Sequence, residues 1–321
     1  MTAPEWENRR GRRILAGTFV VTGSRGFLGR ALTRLLRQRG DRVLGLDLRP
    51  GDHPDDVVGD LADPGSWRGR LDPRGMTGVF HLAGRVGEPG DAEGRKALMQ
   101  DTLEGTIGLL EWACGQEPRP RMVLASSSAV YGVPASPDGR IGESDPLAPR
   151  LFYGVVKAAQ EELVRREVRL GRLEAVVARL FNLTGPGEGP GSLPGATALQ
   201  LVRGATVLRL GRLDTVRDFL DVRDAARALV LVMERGGAGE VVHVASGVGE
   251  SVGDRVMRLV RASGRSVAIE KDPERVRPDD VPVAVADVSR LRALGFRARV
   301  DPDRSAADLL ASLQGKEVPW T

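Results

Sequence analysis

With 321 residues the chain can bury a full core, as one large domain with an elaboration or as two domains, and it is no small stapled module. The single cysteine, Cys114, cannot close an internal disulfide, which points to a reducing compartment. A pI near 9.7 accompanies a net charge of only +4 because arginine replaces lysine almost throughout, and with no basic block the chain has no nucleic-acid signature.

His53, His81 and His243 show no paired spacing, so nothing supports a metal site. Residues 1–13 form a charged leader, and the apolar run 14–21 is too short to span a bilayer. A soluble, cytoplasmic protein without membrane partners is expected. That run reads as a buried strand. It leads into Gly23, Gly26 and Gly29, with Arg25, Phe27 and Leu28 between them, and then into the helical spacing of Ala31, Leu32, Leu35 and Leu36. A turn without Cβ atoms at a helix N-terminus lets a pyrophosphate approach backbone N–H groups. The spacing is one residue longer than Gly-x-Gly-x-x-Gly.

The next strand, 42–47, ends in Asp47, where a carboxylate reads a ribose 2′-hydroxyl and repels a 2′-phosphate. NAD is therefore expected over NADP, although Arg49 follows closely. Asp60 and Leu61 close a third unit. Residues 78–84 form a fourth strand that ends in small residues, and His81 reads as a satisfied strand-end histidine. A helix is expected over 102–114, then a fifth strand over 121–125 running into Ser126, Ser127 and Ser128. Serines at a strand's carboxyl end face the ligand crevice of a parallel sheet. Tyr153 and Lys157 stand four apart, on one face if helical, where a fixed cation favours phenolate. The chain has only two tyrosines and four lysines, so the pairing stands out.

After the strand 175–181 comes a glycine- and proline-rich stretch, 184–195, a functional loop or a boundary. A strand over 206–210, helices over 224–234, around 255–260 and over 306–313, and a strand over 240–245 complete the chain. The fold class expected is α/β, a doubly wound parallel sheet (Rossmann) over residues 14–182, with a smaller C-terminal substrate-binding lobe, mainly 183–321. The strand 240–246 and its preceding helix return to the sheet.

Taken in order, these motifs, with Arg179-Leu180-Phe181-Asn182, Arg217-Asp218-Phe219 and Arg277-Pro278-Asp279-Asp280, resemble the extended short-chain dehydrogenase/reductases, specifically the NAD-dependent epimerase/dehydratase family acting on nucleotide sugars. The resemblance implies Tyr153 as general base and later acid, Lys157 lowering its pKa, and Ser127 sharing the hydrogen bond to the sugar hydroxyl. It implies that NAD is held by Gly23, Arg25, Gly26, Phe27, Leu28, Gly29, Asp47, Leu48, Asp60, Leu61, Leu82, Ala83, Gly84 and Ser126, together with Tyr153 and Lys157. It assigns a nucleotide-diphosphate sugar to Ser127, Ser128, Asn182, Leu193, Leu208, Arg217 and Arg277, the two arginines gripping the diphosphate. Dehydratases of the family carry an acid where Ser128 and Ala129 stand here, so the reading is a 4-epimerase acting through a 4-keto sugar. A 4-ketoreductase, a dehydratase with its acid elsewhere, or a non-catalytic NAD-binding regulator are the alternatives. Thr102, in place of asparagine, and Leu180, in place of an aromatic, depart from the family. A homodimer is expected through the helix after Thr102 and the one carrying Lys157, with Leu109, Leu110 and Trp112 beyond the core stripe.

Overall fold

In the computed structural model, which describes residues 16–72, 74–134, 136, 138–273 and 281–320, the apolar runs of the first half become parallel strands. In chain order the elements are β1 (Thr18–Thr22), α1 (Phe27–Gln38), β2 (Arg42–Asp47), β3 (Val57–Val58), β4 (Met76–His81), α2 (Ala92–Met99), α3 (Gly105–Cys114) and β5 (Arg121–Ser127). Then come β6 (Arg140–Ile141), α4 (Phe152–Arg169), β7 (Ala175–Leu180), β8 (Asn182–Thr184), α5 (Leu193–Val202), β9 (Val207–Leu210), β10 (Val216–Asp221) and α6 (Val222–Arg235). Last are β11 (Val241–Val244), β12 (Gly249–Ser251), α7 (Val252–Ser263), β13 (Ala268–Lys271), β14 (Val283–Ala286), α8 (Ser289–Ala293) and α9 (Pro302–Leu313).

Seven strands form the main sheet in the order β11-β7-β5-β4-β1-β2-β3, every pair parallel. This is a Rossmann-type α/β fold. Its strands are apolar on both faces because helices cover both, and alternate side chains enter different cores. Phe19, Val21, Phe80, Val123 and Val176 pack toward α1 and α6, while Val20, Val79, Met122, Leu124 and Val177 pack with Trp67 and α3. β11 pairs with β7 from Val241↔Val177 to Val244↔Leu180, so the strand expected at 240–245 joins this sheet although residues 181–240 separate it from β7. A third core, with Leu201, Leu208, Leu210, Val256, Leu259 and Leu309, lies among α5, β9, α7 and α9. β10 carries β8 and β14 in parallel and β12 antiparallel, and β14 continues to β6.

The helices are longer than the apolar periodicity suggests, because capping residues set their ends. Asp301 accepts from Asp303 and Arg304 N–H and starts α9 at Pro302, Ser251 caps α7, and Asp221 caps α6. The helix expected from 102 begins at Ala92 and passes through a π-helical turn, Gln100–Glu104, before α3. Its first turns carry Glu93, Arg95 and Lys96 and bury only Leu98, so the apolar pattern starts late. Leu109, Leu110 and Trp112 are only 0–7 % exposed and belong to the chain's own core, where the Trp112 and Trp67 rings meet edge to face at 6.1 Å. They are not the outward face expected of them.

Candidate active site

The chain leaves β1 through Gly23 at φ 67°, where a Cβ would lie 3.0 Å from the Ala83 backbone. A Cβ at Gly29 would lie 2.0 Å from the Gly23 carbonyl oxygen, so only glycine lets α1 sit this close to the turn. α1 follows Gly26 with no side-chain cap and no acid in its first turn. Its first N–H groups, in Phe27, Leu28 and Gly29, thus present an uncompensated positive end, which suits a pyrophosphate. Asp47, at the end of β2, accepts from the Arg25 N–H at 2.8 Å and the Arg49 N–H at 3.1 Å, which fixes its carboxylate at the turn. Leu48 beside it is 64 % exposed. Of the next pair, Asp60 is exposed, but Leu61 is buried, its side chain against Gly105 and its carbonyl against Gly108 of α3. Leu82, Ala83 and Gly84 close the cradle after β4, and Gly84 takes φ 146°. The residues present fit a dinucleotide.

Tyr153 stands in the first turn of α4, whose N-cap Leu151 offers no side-chain acceptor. Glu88, in the loop after β4, supplies one: its two oxygens accept from Phe152 N–H and Tyr153 N–H at 3.1 Å each. A Cβ on Gly154 would lie 2.4 Å from the Ala129 carbonyl, so glycine brings α4 against the Ser127-Ser128-Ala129 turn. Ser127 Oγ accepts from Ala129 N–H at 3.2 Å and is close enough to the Tyr153 phenol to act on its ionisation. Burial raises the phenol above its ordinary value, and Ser127 works against that rise. The sequence leads to the opposite direction, with Lys157 pulling the phenol down. The difference is geometric. Lys157 is 6 % exposed and donates to the Ala125 carbonyl at 2.6 Å and to Gln160 Oε1. Burial brings its pKa down to about 8, with Glu161 acting the other way. The ammonium remains charged at neutral pH.

Other assignments are redistributed. The Ser126 hydroxyl is buried and donates to Glu161 at 2.5 Å, tying the end of β5 to α4. Glu161 also takes Arg179 through both oxygens, at 2.9 and 2.7 Å. Arg179 continues to the Tyr131 oxygen at 2.5 Å, and that hydroxyl donates to His243 Nε2. Leu208 is fully buried in the third core: β9 alternates, with Leu208 and Leu210 inward and Val207 and Arg209 outward. Its side chain therefore cannot flank a nucleotide base. Leu193 opens α5 and is half-buried against that core. Asn182 is exposed at the start of β8 and donates to the Asp218 carbonyl at 3.2 Å, and Arg217 on β10 donates to the Val216 carbonyl. Ser128 is half-buried beside Ser127. Arg277 lies outside the described residues.

Three residues escape the sequence reading. Glu161 and Gln160 follow Lys157 on the same helix, so their spacing was a usable signal; Glu88 is an isolated loop acid with none. His81 is satisfied as expected, between Thr22 Oγ1 at 2.8 Å and Thr106 Oγ1 at 2.9 Å, and burial takes its pKa down to about 3. Among the described residues no cluster of histidine, cysteine or carboxylate could hold a metal, and no helix is long and apolar enough to cross a membrane.

A glycine turn at the helix end of a Rossmann sheet, facing a Ser/Tyr/Lys set on the neighbouring strand and helix, defines a dinucleotide-dependent enzyme of the short-chain dehydrogenase/reductase class. The chain belongs to the NAD dependent epimerase/dehydratase family, whose profile matches residues 19–245. It is 32 % identical over 265 residues to a dTDP-6-deoxy-L-talose 4-dehydrogenase (NAD(P)(+)) of Kitasatospora kifunensis, covering 79 % of this chain and 81 % of that protein. It is 31 % identical over 262 residues to a GDP-6-deoxy-D-mannose reductase of Pseudomonas aeruginosa, covering 80 % and 84 %. The fold superposes on Thermus thermophilus UDP-glucose 4-epimerase in complex with NAD with a TM-score of 0.81 at 25 % identity, over 93 % of this chain and 99 % of that one.

Proposed function

We propose that the chain epimerises a nucleotide sugar at C4 through a 4-keto intermediate. One observation carries the reading: the Ser127 turn is packed against the start of α4, which carries Tyr153 with Lys157 one turn on, while Ser128 and Ala129 beside Ser127 offer no carboxylic acid. Tyr153 Oη takes the proton of the C4 hydroxyl, and Ser127 holds the same oxygen as it becomes a carbonyl. NAD, when bound, accepts the carbon-bound hydrogen with its electron pair and returns it. Tyr153 then gives its proton back to the oxygen after the sugar has turned its other face. Eliminating water would require a further acid at C5–C6, which alanine cannot supply. Arg217 and Asn182, on neighbouring strands β10 and β8, are the described residues we assign to the nucleotide diphosphate.

The second reading, a 4-ketoreductase, is favoured by the names of the two relatives above. Cofactor balance separates the two: an epimerase regenerates NAD at each turnover, whereas a reductase consumes one reduced cofactor per product. With a panel of nucleotide sugars in deuterated water, NMR should show an epimer with no solvent deuterium on carbon, because Tyr153 exchanges only the hydroxyl proton. A 4-keto-6-deoxy product, or deuterium at C5, would overturn the choice.

The chain is proposed to act as a homodimer. Met99, Ile107, Leu151 and Val155, on the helical layer of α2, α3 and α4, are 40–48 % exposed and replace the buried residues as the candidate face. Light scattering should give the mass of two 34.4 kDa chains; one chain at working concentration would rule it out.

A further inference from the structure

Gln160 lies one turn beyond Lys157 on α4 and is fully buried. Its neighbours determine which way its amide points. The Thr106 hydroxyl lies 2.5 Å from the Thr102 carbonyl oxygen, and only the hydroxyl can supply the hydrogen between them. Toward its remaining neighbours Thr106 Oγ1 is therefore an acceptor. Gln160 Nε2 donates to it at 2.8 Å, and His81 Nε2 donates to it at 2.9 Å. The 3.2 Å approach of the two nitrogens is then a contact between donors sharing one acceptor.

With its proton on Nε2, His81 accepts at Nδ1 from Thr22 Oγ1, which in turn accepts from Leu82 and Ala83 N–H at 3.2 and 3.1 Å. The amide nitrogen being committed, the amide oxygen faces the Lys157 ammonium.

We propose that Gln160 is a positioning residue for Lys157: its oxygen takes one ammonium N–H, the Ala125 carbonyl takes a second, and the third is left for Tyr153 and a bound dinucleotide. The chain of Thr22, His81 and Thr106 locks the amide and ties it to the Leu82–Ala83 turn. An amide at this place supports the charge without neutralising it. The other titratable or charged groups around the ammonium are Tyr153 and Glu161 on α4 itself, His81 from β4, and Arg179 from β7, which is paired to Glu161. His81 stays neutral because burial holds its pKa near 3. The balance among these groups sets where Lys157 titrates: the ammonium is charged at low pH and discharges as the pH rises through about 8.

The chain has four lysines, so labelling them with carbon-13 at Cε gives four titrating signals, and Lys157→Met identifies the relevant one. Gln160→Leu removes a hydrogen bond to a charged group and should lower the Lys157 midpoint by about one pH unit, roughly tenfold in its ionisation constant. Gln160→Glu places an anion at the same distance and should raise it by at least as much. Opposite shifts from one position are not what a packing role produces. Coincident midpoints in the unaltered chain and Gln160→Glu would overturn the proposal, even if Gln160→Leu fails to fold.

What Lys157 does for turnover rests on the proposed reaction, but its titration does not. Midpoints that move as stated, with no nucleotide sugar converted, would count against the reaction and leave the role of Gln160 standing.

Discussion

Tyr153→Phe should fold and bind NAD as before, yet lose turnover by about 10²–10⁴-fold, the usual worth of a positioned acid–base group. Only the oxygen that carries the proton is removed. The ring is half-buried, and the two N–H groups held by Glu88 belong to the backbone, so the start of α4 is unchanged. Phenylalanine also leaves the Ser127 hydroxyl its bond with Ala129 N–H. Steady-state rates measured beside cofactor titrations test this; near-normal turnover with intact NAD binding would remove Tyr153 from the chemistry. A parallel loss of cofactor affinity would mean that the phenol serves mainly to bind.

The largest stability effect is expected at Glu161. Glu161 and Arg179 are each 1 % exposed and joined through two parallel bonds, so removing the carboxylate strands a buried guanidinium. Breaking such a pair typically costs about 3–5 kcal/mol, a large fraction of the roughly 5–15 kcal/mol that holds a domain together. Glu161→Ala should therefore shift the urea midpoint sharply downward, whereas Glu161→Gln, which keeps an acceptor for Arg179 and for the Ser126 hydroxyl, should fall between. Equal midpoints for Glu161→Ala and the unaltered chain would show that Tyr131 and the Glu143 carbonyl suffice to hold Arg179. Glu161 also supports Lys157 electrostatically, so Glu161→Ala should weaken the ammonium's hold on its proton as well.

What the sequence by itself determined were the features that depend on local geometry. A strand that runs into Gly23, Gly26 and Gly29 and then a helix can do little else with its backbone, and a spacing of four puts Tyr153 and Lys157 on one helical face. The apolar runs at 14–21, 42–47, 78–84, 121–125 and 175–181 read as strands because burial on both faces leaves no polar alternation, and strands lie at each of them, with bounds shifted by a few residues. Asp47 falls at the end of its strand for the same reason.

Only the tertiary structure decided which neighbour each side chain meets. The direction of the Lys157 ammonium depends on the Ala125 carbonyl, brought by β5, and on Gln160, whose amide is turned by residues of β4 and α3. The Tyr153 phenol ends above its ordinary value because burial, a sum over the whole surrounding fold, outweighs the local influence of Ser127. Leu208 turns inward because α5, α7 and α9 cover that side of β9, and Leu109 and Trp112 are claimed by Trp67 from a distant loop. Glu88 meets the start of α4 across more than sixty residues, a distance over which no periodicity in the chain carries information.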